Sequence, residues 1–255
     1  MAALNPGDTR GNGRALSTEL LLHRLRGLGP LAPHEIDLVL SLCEQPKLHP
    51  PGTMICPHED GSPHCRLMVS GWSCRPRILP DGRRQMLGLL LPGDIMGDRG
   101  RRGPLALNPV VTLTPVRTIG MARLVAAARD QPERYGGIAR ALAIFERVEE
   151  TNLIDHVVRL GCQNAVERMA HLLLELHQRL STIGFVHDNM FPMPLTQDTL
   201  AELLGLSLIH TNRTVSQLRR NKLVTIRSGF VTVHDFARLA LLADRVEPMA
   251  EGATA

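Results

Sequence analysis

Two stretches of this 255-residue chain hold side chains of the right type and spacing to do chemistry. The first is residues 194–234, PLTQDTLAELLGLSLIHTNRTVSQLRRNKLVTIRSGFVTVH. Read as a helix from Leu208, it turns Thr211, Thr214, Val215 and Leu218 to one side, at i, i+3, i+4 and i+7. The other side then presents Leu208, Ile209, Asn212, Arg213, Ser216 and Arg220. Asn and Arg are the types whose side chains pair bidentately with base edges in a DNA major groove. The second stretch holds Cys56, His58, Glu59, Asp60, His64 and Cys65 within ten residues. Thiolate, imidazole and carboxylate are what zinc and haem iron take as ligands. The Cys-x-His…His-Cys order is not a standard zinc spacing, and a polar turn between two strands explains it more simply. Cys74, beside Arg75 and Arg77, is either a thiol activated by positive charge or a buried, inert one.

The first stretch supplies its own scaffold. Thr196 can cap a helix that buries Leu200, Leu203 and Leu204, and Gly205 permits the left-handed residue that ends it. Ser207 then caps the second helix, which runs to about Arg220. Two helices joined by a short Gly-containing turn make a helix-turn-helix. Residues 223–226 and 230–233 are β-rich and flank Arg227-Ser228-Gly229, which adds a hairpin wing, and Asp235 caps a closing helix. Packed leucine-rich helices alone would not need this order of turn, cap and exposed Asn and Arg. Nor would they need five basic residues and no acidic one between Arg213 and Arg227. The stretch therefore reads as DNA-binding.

The rest of the chain bounds the function. Its basic residues number 29, two of them Lys (Lys47 and Lys222) and the other 27 Arg, for a net charge of +4. Seven aromatic residues are too few for a single-strand binder that stacks bases. The five cysteines form no C-x-x-C pair and read as reduced cytosolic thiols. No apolar run reaches membrane-spanning length and the first 16 residues lack a signal-peptide core, so the expected location is the cytoplasm, with no membrane partner. No Gly-rich phosphate loop, G-x-S-x-G or H-E-x-x-H occurs, so an enzyme with an attached DNA-binding module is the distant alternative.

Ahead of the helix-turn-helix, Ser17 can cap a helix carrying Leu20, Leu21, Leu25 and Leu28, and Pro33 opens another. Between residues 46 and 120 glycines recur and short apolar runs (67–69, 85–91, 110–113) alternate with turns such as Pro80-Asp81-Gly82. That texture predicts a small antiparallel sandwich or barrel. After a short helix at 121–129, Pro132 can open a helix of about 29 residues, with Ile138, Leu142 and Phe145 at coiled-coil spacing that decays into Glu149, Asn152 and His156. Such a helix either buries itself in its own protein or pairs with a copy across a two-fold, and pairing is the favoured expectation. Val166, Met169, Ala170, Leu173, Leu176 and Leu180 then form a clean helical stripe.

Together these residues resemble the Crp/Fnr family of bacterial transcription regulators over roughly residues 30–245. Leu195 to Val233 resembles its winged helix-turn-helix, and the run from Asp155 to Gly161 its hinge. Pro51-Gly52-Thr53, Val69-Ser70-Gly71 and Leu91-Pro92-Gly93-Asp94-Ile95-Met96-Gly97 look like the glycine landmarks of its cyclic-nucleotide-binding-like β-roll. The implied fold is α+β: an N-terminal antiparallel β-roll of jelly-roll type, a long dimerisation helix and a C-terminal winged helix-turn-helix. The expected division is a flexible start (1–16), a sensor (17–130), a dimerisation helix (131–161), a DNA-binding domain (162–247) and a tail (248–255).

The resemblance implies base contacts by Leu208, Ile209, Asn212 and Arg213, with Arg213 on guanine and Asn212 on adenine. Leu208 and Ile209 depart from the polar pair of many members and suit thymine methyls. Candidate phosphate contacts are Thr196, Gln197, Ser207, His210, Arg220 and Arg227, with Arg219 and Lys222 adding attraction. Expected partners are double-stranded DNA, a second copy through 131–161 and, for an activator, RNA polymerase. The effector pocket would involve Gly97, Asp98, Arg99 and Asn108. Cyclic-AMP-binding members carry Gly-Glu and a later Arg, whereas Gly97 here precedes Asp98 and residues 107–110 hold no Arg, which argues against cyclic AMP. Iron–sulfur members cluster N-terminal cysteines; none precedes Cys43, and spacings of 13, 9 and 9 argue against a cluster. The cofactor is thus left unknown, control being by an effector or constitutive, with a haem-, metal- or redox-responsive regulator using Cys56, His58, His64, Cys65 or Cys74 as the alternative.

Overall fold

A computed structural model of the protein describes residues 13–42, 45–55, 65–97 and 109–243. The chain divides into two compact units, Met1–His156 with Thr182–Phe185, and Val157–Ser181 with Val186–Ala255.

The first unit opens with helices α1 (Gly13–Leu28) and α2 (Pro33–Ser41). Among the described residues eight strands follow: β1 (Lys47–His49), β2 (Met54–Ile55), β3 (Arg66–Ser70), β4 (Ser73–Ile78), β5 (Arg84–Leu90), β6 (Ile95–Met96), β7 (Val110–Thr112) and β8 (Val116–Gly120). They form two four-stranded antiparallel sheets, ordered β1-β8-β3-β6 and β2-β7-β4-β5. Met68, Leu90, Met96, Val110 and Val116 pack as one buried cluster, with Ile55 against it. The Pro80-Asp81-Gly82 turn closes the β4–β5 hairpin, with Leu79 N donating to Arg83 O at 2.8 Å. β4 reads SCRPRI, and its register shifts between Cys74 and Pro76. A bulge of this kind accommodates a proline that a regular ladder would reject.

Helix α3 (Ala122–Asp130) leads to the long α4 (Gly136–Cys162). Two helix starts differ from the sequence expectation. Ser17 does not cap α1; it is buried inside that helix, which begins at Gly13. Helix α4 starts at Gly136 rather than Pro132, because Arg134 N and Tyr135 N both turn back onto Gln131 O. Its first turn is capped from a distance: the buried Glu35 on α2 accepts from Ile138 N at 2.9 Å while its other oxygen accepts from Ala32 N at 2.7 Å. Burial pushes the Glu35 carboxyl up, but the backbone N–H groups of Ala32, Ile138 and Gly137, with His34, hold it below the ordinary 4.5.

The coiled-coil spacing of Ile138, Leu142 and Phe145 is a core signature instead, since all three are buried. The solvent-facing stripe of α4 is a different set, Ala143, Arg147, Glu150, Ile154 and Val157, at i, i+4, i+7, i+11 and i+14. Leu153, Ile154, Val157 and Val158 are 44–61% exposed.

In the second unit α5 (Ala165–Ser181) starts in a capping box: Asn164 Oδ1 accepts from Val166 N at 3.0 Å, and Glu167 Oε2 accepts from Asn164 N at 2.9 Å. Its stripe of Met169, Ala170, Leu173, Leu176 and Leu180 is buried. There follow β9 (Met190–Pro192), α6 (Gln197–Leu204), α7 (Leu208–Arg220), β10 (Val224–Arg227), β11 (Phe230–Val233) and α8 (Phe236–Leu242). The sheet order is β10-β11-β9, so the wing has a third strand that its sequence did not announce.

Candidate nucleic-acid interface

The two helices of the helix-turn-helix are set by local chemistry. Thr196 Oγ1 accepts from Thr199 N at 3.1 Å to start α6, which ends at Gly205 with φ 61° and ψ 37°. A side chain there would strain the backbone, so glycine fixes the turn. Ser207 Oγ then accepts from His210 N at 3.3 Å and lies 3.1 Å from His210 Nδ1. Thr211, Thr214 and Leu218 on α7 are buried, and Thr211 Oγ1 donates back to Ser207 O.

The opposite side of α7 faces solvent. Leu208 is 41% and Ile209 66% exposed, so the start of α7 presents apolar as well as polar side chains to solvent. His210, Arg213, Arg219 and Arg220 are exposed, as are Lys222 and Arg227 beyond the helix. Ser216 and Asn212 are half-buried. Asn212 Oδ1 is buried with no hydrogen-bond partner, so pairing with adenine requires the amide to turn outward, which would also satisfy that acceptor. Thr196, Gln197 and Ser207 are exposed at the helix starts, where free backbone N–H groups favour phosphate.

Three features that hold this surface were not read from the sequence. Arg168 donates from Nε to Gln163 O at 2.8 Å and from Nη1 to Leu204 O at 2.9 Å, tying the last turn of α6 to the start of α5. Arg159, with a side chain 1% exposed, pairs with Glu175, which also binds Arg179 at 2.9 Å. Burial pushes the Glu175 carboxyl up, and Arg159 and Arg179 pull it down further, to about 2. His177 lies edge-on to Phe191 and Phe236, with ring centroids 5.8 and 4.6 Å away, and burial lowers its pKa. A 16-residue separation gives Arg159 and Glu175 no local motif; the one available hint was charge inside otherwise apolar helical stripes.

The candidates in the first unit are placed only in part. Gly97 is half-buried, while Asp98, Arg99 and Asn108 lie outside the described residues. Cys65 is buried just before β3, and Cys56, His58 and His64 lie outside the described residues. Cys74 is fully buried in β4, and its neighbour Arg75 pairs with Glu149 at 3.2 Å. Among the described residues no group of three or more His, Cys, Asp or Glu is placed to hold a metal ion. No helix among them is long and apolar enough to cross a membrane.

Comparison with known proteins gives the same outline. Residues 167–242 match the Crp-like helix-turn-helix domain. The nitrogen fixation regulation protein FixK of Bradyrhizobium diazoefficiens is 32% identical over 168 residues, covering 66% of this chain and 68% of that one. The transcriptional activator protein FnrL of Cereibacter sphaeroides is 30% identical over 181 residues, covering 68% and 69%. The structure of FixK2 from Bradyrhizobium japonicum superposes with a TM-score of 0.66 at 24% identity, over 79% of this chain and 98% of that one, which bears on the fold alone.

Proposed function

The chain belongs to the Crp/Fnr family of DNA-binding transcription regulators, and from that premise we propose that it works as a homodimer on a two-fold symmetric operator. The observation that carries this reading is the exposed side of α7: Leu208, Ile209 and Arg213 stand clear of solvent-excluded packing, ahead of a run of cations with no acidic residue among them.

Each recognition helix would enter a major groove with Leu208, Ile209, Asn212 and Arg213 toward the bases. Arg213 would grip guanine O6 and N7, and the two apolar residues would touch thymine methyls. Thr196, Gln197, Ser207, His210, Arg220 and Arg227 would hold phosphates and fix the register. The dimer would form along α4 through the stripe containing Ile154 and Val157, whose exposure in a single chain supports burial against a copy. Residues 17–130 would act as the sensor, 131–161 as the dimerisation helix and 162–247 as the DNA-binding domain. An effector held near Gly97, Asp98, Arg99 and Asn108 would shift the population of dimers with properly spaced recognition helices; without one the protein would be constitutively poised. A relative named as a transcriptional activator supports RNA polymerase as a further partner, and the location would be cytoplasmic.

The test is selection of binding sites from random duplex DNA by purified, effector-free protein at stated salt. A symmetric motif with half-sites about one helical turn (~34 Å) apart is expected. No enrichment, even with cyclic nucleotides, haem or metal added, would refute the reading.

A further inference from the structure

The chain enters the second unit twice. It leaves the first unit after His156, runs through Val157–Ser181, comes back for Thr182–Phe185 and leaves again at Val186. The returning segment is the connection from α5 to β9, and two elements of the first unit hold it. From α1, His23 Nε2 donates to Thr182 O at 3.0 Å and Arg24 Nη1 donates to Thr182 Oγ1 at 3.4 Å. Ile183 is 3% exposed, while Ser181, Thr182 and Gly184 around it are exposed, so one apolar side chain anchors the segment.

The seat of Ile183 is the turn Leu91–Asp94, between β5 and β6. Gly93 in that turn has φ 86°, and a Cβ there would lie 3.3 Å from Ile183 Cγ2 and 3.6 Å from Arg24 Cδ, so the missing side chain lets both approach. The turn is pinned to β3, since Gly93 N donates to Met68 O and Met68 N to Asp94 O, each at 2.8 Å. Asp94 Oδ2 closes it by accepting from Leu91 N at 2.7 Å. The Arg24 guanidinium also lies over the ring of the buried Phe145 on α4, 5.3 Å from its centroid. One arginine thus joins the returning segment, the turn and the long helix.

We propose that Thr182–Phe185 is a strap by which the first unit positions the DNA-reading unit, with Arg24, Gly93 and Ile183 as positioning residues that touch no DNA. The inference rests on the regulator reading above. With the strap seated, the second unit is tied at two places along the chain, at His156–Val157 and at the strap. With the strap free only the first tie remains. Affinity falls with the fraction of molecules already in the competent arrangement, so an unseated strap weakens binding without changing the sequence that is read. The turn under Ile183 runs directly into β6 and Gly97, one of the residues expected near an effector, which gives the sensor a route to the reading unit that does not pass along α4.

The experiment uses the full-length protein and two readouts: the rate of chymotrypsin cleavage after Phe185, followed by mass spectrometry, and titration of the DNA site that wild type selects. Ile183→Asp puts a charge into the buried seat and should speed cleavage about tenfold or more and weaken binding about three- to tenfold. Arg24→Met removes the donation to Thr182 but keeps an apolar stem over Phe145, and should move both readouts in the same direction by at least about twofold. Ile183→Val should behave as wild type, and the selected motif should be unchanged throughout. Trp72 fluorescence reports that the first unit stays folded; where Ile183→Asp disturbs it, Arg24→Met decides. Faster cleavage with unchanged affinity reduces the strap to packing and overturns the inference. Unchanged cleavage in both variants overturns it, as does tighter binding, which would mean that the segment holds the reading unit back. In each of these cases wild type still binds its site and the regulator reading stands. A wild type that selects no site removes the regulator reading and this one with it.

Discussion

Neutralising Glu175 should unlock the second unit, and its cost can be worked out in two ways. The Arg159 side chain is 1% exposed and the Glu175 side chain 9%, so Glu175→Gln leaves a guanidinium buried without a counter-ion. Breaking a buried pair from one side costs about 3–5 kcal/mol. Proton linkage gives a second figure. The carboxyl falls from an ordinary 4.5 when unfolded to about 2 when folded, which at about 1.4 kcal/mol per pH unit is roughly 3 kcal/mol. Because the folded value is depressed, this stability is present above pH 4.5 and disappears as pH falls towards 2. Urea unfolding followed by far-ultraviolet circular dichroism would report the helices. Trp72, the single tryptophan, lies in the first unit and supplies an internal control by fluorescence. Wild type should exceed Glu175→Gln by about 3 kcal/mol at pH 7 and by almost nothing near pH 2. The double variant Arg159→Met with Glu175→Leu should lie within about 1 kcal/mol of wild type, since an apolar pair can replace a buried ionic one and the less buried Arg179 can reach solvent. A single-variant loss below about 1 kcal/mol, or a difference that stays flat with pH, would refute the reasoning.

Three further outcomes follow from the same geometry. Arg213→Ala should weaken binding to the selected site by about 1–3 kcal/mol per half-site and leave the melting temperature unchanged, because the side chain is exposed; titration and calorimetry check the two halves. Ile154→Glu or Val157→Glu should convert dimer to monomer in light scattering and abolish footprinting, with folding intact, as both residues are more than half exposed. Glu35→Ala should free Ile138 N and Ala32 N, destabilising the first unit by about 1–2 kcal/mol as read by Trp72 fluorescence.

The features legible in the sequence were the local ones. Thr196, Gly205, Ser207 and Asp235 act within three or four residues of themselves, so their roles could be named from spacing, as could the turn at Pro80-Asp81-Gly82. What escaped was set by distant parts of the chain. The start of α4 depends on Glu35, which is 103 residues from Ile138. The inward and outward sides of α4 cannot be told apart in the sequence, because Ile138, Leu142 and Phe145 have the same spacing in either role and only burial separates the two. Strand β4 hid behind Arg75, Pro76 and Arg77, residue types that read as loop until a bulge accommodates them. Of the candidate site, the helix α7 was predictable because its cap, its buried stripe and its exposed face are all set within one local segment. Arg168, which steadies α6, was not, since its acceptors are backbone carbonyls with no side-chain signature.

The two-sidedness of α7 has an evolutionary consequence. Thr211, Thr214 and Leu218 are buried, while Leu208, Ile209 and Arg213 lie on the exposed side. If the second group reads bases as proposed, substitutions there would change what the helix recognises with little penalty in folding, so descendants of one gene could drift to new operators through viable intermediates. Substitutions at the first group are filtered by stability before specificity is ever tested. Gene duplicates of such a protein would then be free to rewire a regulatory network at a few exposed positions while the buried ones stay constrained by folding.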